Sequence, residues 1–219
     1  MAAAAAAAEL VEPGTVIGLG SGRAVWAVIE RLRGMDIRAV AASSRTEETL
    51  REAGIEVVEL DGSVPLALAI DGADEVDPEL GLIKGGGAAL LREKLVVMAA
   101  DRFVVVAEEA KKVERLGQTR GVPVEVVRFA WADTRRRLRA LVDSADLREE
   151  GGQPVVTDEG HYIVDCAIPQ SAALDALARA LKLTVGVVEH GLFLGMASLA
   201  LLGRADGTVE KLQLPATGY

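Results

Sequence analysis

Two aspartates, a lysine, three successive glycines and a glutamate crowd one stretch, IDGADEVDPELGLIKGGGAALLREKL, from Ile70 to Leu95. A carboxylate can take a proton from carbon, and an ammonium beside free backbone amides can hold the oxyanion that results. The apolar run LALAID delivers Asp71 and Asp74 to the end of a strand, the place where ligands bind in open α/β sheets. The same residue types also build Asx-type turns, and two carboxylates with no histidine or third acid nearby make a poor metal set. In IKGGGAALL, Gly85, Gly86 and Gly87 let backbone N–H groups approach a ligand, with Lys84 as an adjacent cation. At about 100° per residue, Leu90, Ala89, Val97 and Val96 all fall within about 60° of Glu93, while Ala88, Leu91, Leu95 and Met98 take the opposite side. A helix apolar on two sides is expected to be buried, with Arg92 and Lys94 pointing sideways. Glu93, inside the apolar arc, is either a desolvated base with a raised pKa or one half of a structural ion pair.

A second chemistry-bearing loop, GLGSGRAVW, follows an apolar strand and opens a helix. Backbone amides at a helix N-terminus can hold a phosphate there, or the loop is a plain strand-to-helix turn. Arg23 occupies the third-glycine position of a dinucleotide fingerprint, which weakens a nicotinamide reading, and no Walker A spacing occurs. AEEAKK brings Lys111 and Lys112 to a strand end, where either can meet a phosphate. His161 and His190 stand apart with no partner that suggests a triad or a metal, so both are expected to be structural or surface groups.

From Gly14 onward, short β-branched runs alternate with helical patterns, which predicts a mostly parallel sheet covered on both faces. After TRGVPVE the order becomes strand, helix, two strands, helix, strand, with a Gly-Gly turn at Gly151 and Gly152. The expected organisation is α/β: a Rossmann-like domain of residues 1–122 and 191–219, with a small ferredoxin-like α+β domain inserted at 123–190. The last segment is expected to return to the first domain as strand. The alanine run at the start lacks the basic and apolar regions of a signal peptide and is expected to form a solvent-facing helix. Half of the 219 residues are apolar and the net charge is −9, which argues for a substantial core and against a nucleic-acid-binding surface. The single cysteine, Cys166, rules out an intrachain disulfide and fits a reducing cytoplasm; no apolar run reaches membrane-spanning length.

Taken together, the Gly-rich first loop, SSRTEETL, the Ile70–Leu95 stretch, VVVAEEAKKVERLG, the inserted small domain and GLFLGMASLAL resemble ribose-5-phosphate isomerases of the A type over nearly the whole chain. The resemblance implies interconversion of D-ribose 5-phosphate and D-ribulose 5-phosphate in the pentose phosphate pathway, without metal or organic cofactor, by a cytoplasmic homo-oligomer, dimer or tetramer, that engages neither nucleic acid nor membrane. It makes Glu93 the base that moves a proton between C2 and C1, and Asp71 and Asp74, with Gly72 and Ala73 between them, the substrate-binding turn, Asp71 being linked to ring opening. Lys84 with Gly85, Gly86 and Gly87 holds the reacting oxygens; Ser21, Gly22, Arg23 and Ala24 face the phosphate, and Lys111 is a further substrate contact. The family's first loop usually reads Gly-Thr-Gly-Ser-Thr, where this chain has Gly20-Ser21-Gly22-Arg23-Ala24, and its N-terminal helix carries no lysine. Arg23 is therefore expected to supply the missing cation, since a guanidinium grips phosphate bidentately. Rival readings are another sugar-phosphate enzyme on a similar fold, which would draw on a catalytic histidine, and a non-catalytic sugar-phosphate sensor.

Overall fold

The computed structural model describes residues 2–214. Its central sheet has seven strands in the order Val209–Leu212, Leu199–Gly203, Phe103–Glu108, Leu68–Asp71, Val16–Leu19, Arg38–Ala41 and Glu56–Val57. All neighbours are parallel except the Val209–Leu212 edge, which returns antiparallel to Leu199–Gly203. Leu68–Asp71 and Phe103–Glu108 are buried along nearly their whole length, as strands covered on both faces must be. Ile17, Leu19, Ile70 and Val104 pack with helix Arg23–Arg31 on one side; Val16, Ala69, Val105 and Ala200 pack with helix Leu90–Met98 on the other.

Three expectations fail here. Helix Ala2–Ala8 does not face solvent: Ala3, Ala4, Ala7 and Ala8 are buried against helix Arg23–Arg31 and strands Phe103–Glu108 and Leu199–Gly203. Methyl side chains let the helix sit close, and a Cβ placed on Gly203 would lie 3.4 Å from Ala3 Cβ. Helix Leu90–Met98 is not buried all round either, since Leu95 and Met98 are exposed. Lys94 goes inside instead. Its ammonium donates to Glu189 Oε1 at 2.9 Å and to the carbonyls of His190 and Leu192 at 2.6 and 3.0 Å, and it lies 4.6 Å from the Phe193 ring centroid. Arg92 alone points sideways, to Asp158 and Glu159.

A second, antiparallel sheet runs Val187–His190, Val122–Val126, Tyr162–Ala167, Ser144–Leu147. Leu138 of helix Trp131–Leu138 and Leu177 and Leu181 of helix Leu174–Leu183 pack with Val124, Val126 and Val164 to form its core. Gly151 and Gly152, both at positive φ, turn the short Glu149–Glu150 and Gln153–Pro154 hairpin. Between the two sheets lies a three-stranded ribbon, Leu192–Phe193, Leu82–Ile83 and Glu75–Val76. It carries the chain from Asp74 to Lys84, and the Lys84 N–H donates to Gly191 O at 2.9 Å.

Candidate active site

Parallel strands end on one side of a sheet, so the loops after Leu19, Asp71 and Glu108 converge there. They enclose a cleft of about 370 Å³. Ser21, Gly22, Arg23 and Ala24 border it on the first loop, Gly72, Ala73 and Asp74 on the second, and Lys84, Gly85, Gly86, Gly87 and Glu93 on the glycine loop and its helix. Lys111 borders it from the turn after Phe103–Glu108, whereas its neighbour Lys112 pairs with Glu210.

Asp71 is the one anticipated residue that does not border the cleft. It lies beneath the floor, 1% exposed, where Oδ1 accepts the N–H groups of Ser21 at 3.2 Å and Gly72 at 2.6 Å. Gly20 makes this approach possible, since a Cβ there would fall 1.8 Å from the carboxylate. The buried Lys84 ammonium lies 2.8 Å from Asp71 Oδ2 and 3.2 Å from Glu93 Oε1, and donates to Gly72 O at 2.8 Å. Burial alone would lower the Lys84 pKa, but the carboxylates of Asp71 and Glu93 outweigh it and hold the group above its ordinary range. Asp71 moves upward because burial exceeds the pull of Lys84.

Glu93 is 5% exposed, and its Oε2 has no hydrogen-bond partner among the described residues. Desolvation, then repulsion from Asp71, pushes its pKa up to about 8 in spite of Lys84. Asp74 faces the glycine loop and accepts the Gly86 N–H at 2.7 Å. Gly85, at φ +103°, turns the chain out of the ribbon; a side chain there would be strained and would meet Leu90 at 2.8 Å. An ammonium clasped by two carboxylates, one of them a near-neutral proton acceptor, next to accessible backbone amides can remove a proton α to a carbonyl and stabilise the resulting oxyanion.

Trp26, Arg45 and the Val106–Glu108 strand end also border the cleft, and none was anticipated. Trp26 is held by the first turn of the helix after the second strand, on which Arg45 lies. Ser43 caps helix Ser44–Glu52, Thr46 Oγ1 donates to Gly20 O at 2.7 Å, Trp26 Nε1 donates to Thr46 Oγ1 at 3.3 Å, and Arg45 lies over the Trp26 ring at 5.8 Å. The SSRTEETL segment carries this brace; it contributed to the family resemblance, but its spacing pointed to no role at the site. The histidines take structural places: His161 Nδ1 meets Glu125 at 2.9 Å, and His190 is buried beside Lys94 and Glu189, its pKa lowered to about 4 by burial and then by Lys94.

Residues 38–207 match the family model "Ribose 5-phosphate isomerase A (phosphoriboisomerase A)". The ribose-5-phosphate isomerase A of Synechococcus sp. (strain JA-3-3Ab) is 48% identical over 220 residues, covering 97% of this chain and 95% of that protein. The solved ribose 5-phosphate isomerase from Plasmodium falciparum superposes with a TM-score of 0.91 at 34% identity, over 97% of this chain and 96% of that one. A D-ribose-5-phosphate isomerase in complex with phospho-erythronic acid gives a TM-score of 0.91 at 36% identity over the same shares. With residues 38–207 matched by the family model and relatives at 34–48% identity covering 97% of the chain, the protein belongs to the ribose 5-phosphate isomerase A family.

Proposed function

We propose that the chain interconverts D-ribose 5-phosphate and D-ribulose 5-phosphate through an enediolate, with Glu93 as the base. One observation carries the assignment: the Glu93 carboxylate is buried, with Oε2 unpartnered among the described residues and its pKa raised to about 8, beside the charged Lys84. Glu93 takes the C2 proton of the open-chain aldose. The C–H electron pair becomes the C1–C2 double bond, and the carbonyl electrons move onto O1. Lys84 and the amides of the glycine loop steady that oxygen; Glu93 then returns its proton to C1, and the O2 proton passes to O1 to complete the ketose.

Asp74 binds the sugar, and Asp71, beneath the floor, keeps Lys84 charged and assists ring opening through it. Ser21 to Ala24, with Arg23 as the cation, take the phosphate, and Lys111 adds a contact from the facing turn. Residues 1–122 and 191–219 act as the catalytic domain and 123–190 as a small domain. The observed strand pairings support that division, because the second sheet draws only on strands between Val122 and His190. The working form is a cytoplasmic homo-oligomer; among the described residues no helix is long and apolar enough to cross a membrane. A coupled assay that detects ribulose 5-phosphate formed from ribose 5-phosphate tests the reading. The wild-type chain turns over and Glu93→Gln does not; equal turnover by both would remove Glu93 from the role.

A further inference from the structure

The glycine loop is gripped from outside the cleft by one side chain of the second sheet. Arg148, just past strand Ser144–Leu147, does not border the cleft. Its Nη1 donates to the carbonyl of Gly85 at 2.7 Å and to that of Gly86 at 3.1 Å. The other edge of the guanidinium is locked by Asp165, with Nε to Oδ2 at 2.9 Å and Nη2 to Oδ1 at 2.5 Å. Asp165 sits on strand Tyr162–Ala167, paired directly with Ser144–Leu147. The backbone of Arg148 is fixed as well: its N–H donates to Ile163 O at 2.8 Å and its carbonyl accepts from Val155 N at 2.9 Å. A planar fork with donors on both edges suits this double grip, and a lysine could not reproduce it.

The grip has a consequence on the opposite side of the loop. No described peptide bond is cis, and in a trans peptide unit the C=O and N–H point in opposite directions. With the Gly86 carbonyl turned to Arg148, the N–H of Gly87 is turned away from it, and Gly87 borders the cleft. That N–H has no partner among the described residues, whereas the preceding one, on Gly86, is already spent on Asp74. We propose that Arg148 is a positioning residue of the isomerisation: clamped by Asp165, it aims the Gly87 amide at the substrate oxygen that gains negative charge. The proposal rests on the assignment of the glycine loop to the reacting oxygens.

An amide that serves the developing charge affects kcat more than ground-state binding. Arg148→Met is expected to lower kcat roughly 10- to 100-fold, at the lower edge of what loss of an oxyanion donor costs because the amide is loosened and not removed. KM for ribose 5-phosphate should stay within about threefold. Inhibition by phospho-erythronic acid, whose carboxylate resembles the planar enediolate, should weaken in step with kcat. Asp165→Asn should give a smaller loss in the same direction, and Arg148→Lys should recover part of the loss. Arg139→Met, which cuts the exposed pair with Asp146 near the same sheet, should change neither value. A folded Arg148→Met with wild-type kcat and inhibition overturns the proposal; should Arg148→Met not fold, the same result in Asp165→Asn overturns it. Lys84→Met separates the two levels. Collapse of activity there, with Arg148→Met unaffected, sinks only the clamp, whereas full activity in Lys84→Met sinks the assignment of the loop itself.

Discussion

Glu75 and Glu93 are both buried glutamates within one segment, yet their surroundings differ in kind. Glu75 Oε1 accepts the N–H and hydroxyl of Thr119 and the N–H of Arg120, and Oε2 accepts the N–H of Gly117, all between 2.5 and 2.8 Å. Every lone-pair direction that matters is used, and the carboxylate ties the central ribbon to the loop before the second sheet. Glu93 has one ammonium at 3.2 Å and an oxygen with nothing to accept from among the described residues. Burial alone therefore does not mark a reactive acid. The shortage of donors does, because an under-solvated carboxylate holds its negative charge at a cost and takes a proton readily.

The contrast can be broken in graded steps. Replacing the proton acceptor should do most: Glu93→Gln lowers kcat by about 10²- to 10⁴-fold while circular dichroism stays unchanged. The same variant separates the cost of the charge from its use. The Glu93 pKa is raised in the folded chain, from an ordinary 4.5 to about 8. Between those values the unfolded chain ionises while the folded one keeps the proton, so the wild type loses stability as pH rises through that window. Glu93→Gln escapes the loss. Its unfolding free energy, measured in urea, should gain on the wild type by on the order of 3 kcal/mol from pH 4.5 to 8 and then level off; a gap that narrows instead would reverse the sign of the argument.

Glu75→Ala should act on the other quantity. Stranding donors under the ribbon costs about 2 kcal/mol, a fall in Tm of roughly 4–8 °C in calorimetry, with kcat of the folded fraction kept within about threefold. The smallest effect belongs to the rim. Arg23 is exposed at the mouth of the cleft, so Arg23→Ser should raise KM for ribose 5-phosphate about tenfold, the worth of one charge-assisted contact, and leave kcat nearly alone. An unchanged KM would remove Arg23 from phosphate binding.

Strand ends and helix angles singled out individual candidates, because those are local properties, and the family resemblance was what joined them with the first loop and Lys111 into one site. Lys84 follows a strand directly, Asp74 sits in the turn after another, and Glu93 lies on the apolar arc of its helix, all positions that local pattern can locate. Contacts between distant parts of the chain were not readable. Lys94 looked like a solvated flank of its helix, and only the fold brings Glu189 and the His190 and Leu192 carbonyls to it. The alanine helix carried no polar face to orient it, so propensity said helix but could not say buried. Arg148 stood in a charged run, DLREE, with nothing to distinguish it from a surface arginine until Gly85, Gly86 and Asp165 closed around it. Leu95 and Met98 erred the other way: apolar residues on the second side of the helix remain at the surface.

Cys166 lies within the core of the second sheet with no solvent access, and its thiol is pushed up to about 12 by burial and then by the charges of Asp165 and Asp146. The nucleophilic thiolate is thus practically absent near neutral pH. The native chain is a silent background for thiol-directed labelling. A cysteine substituted for Arg45, exposed at the rim beside Trp26, would be the one to take a maleimide fluorophore, so that ligand entry can be followed optically without first replacing Cys166.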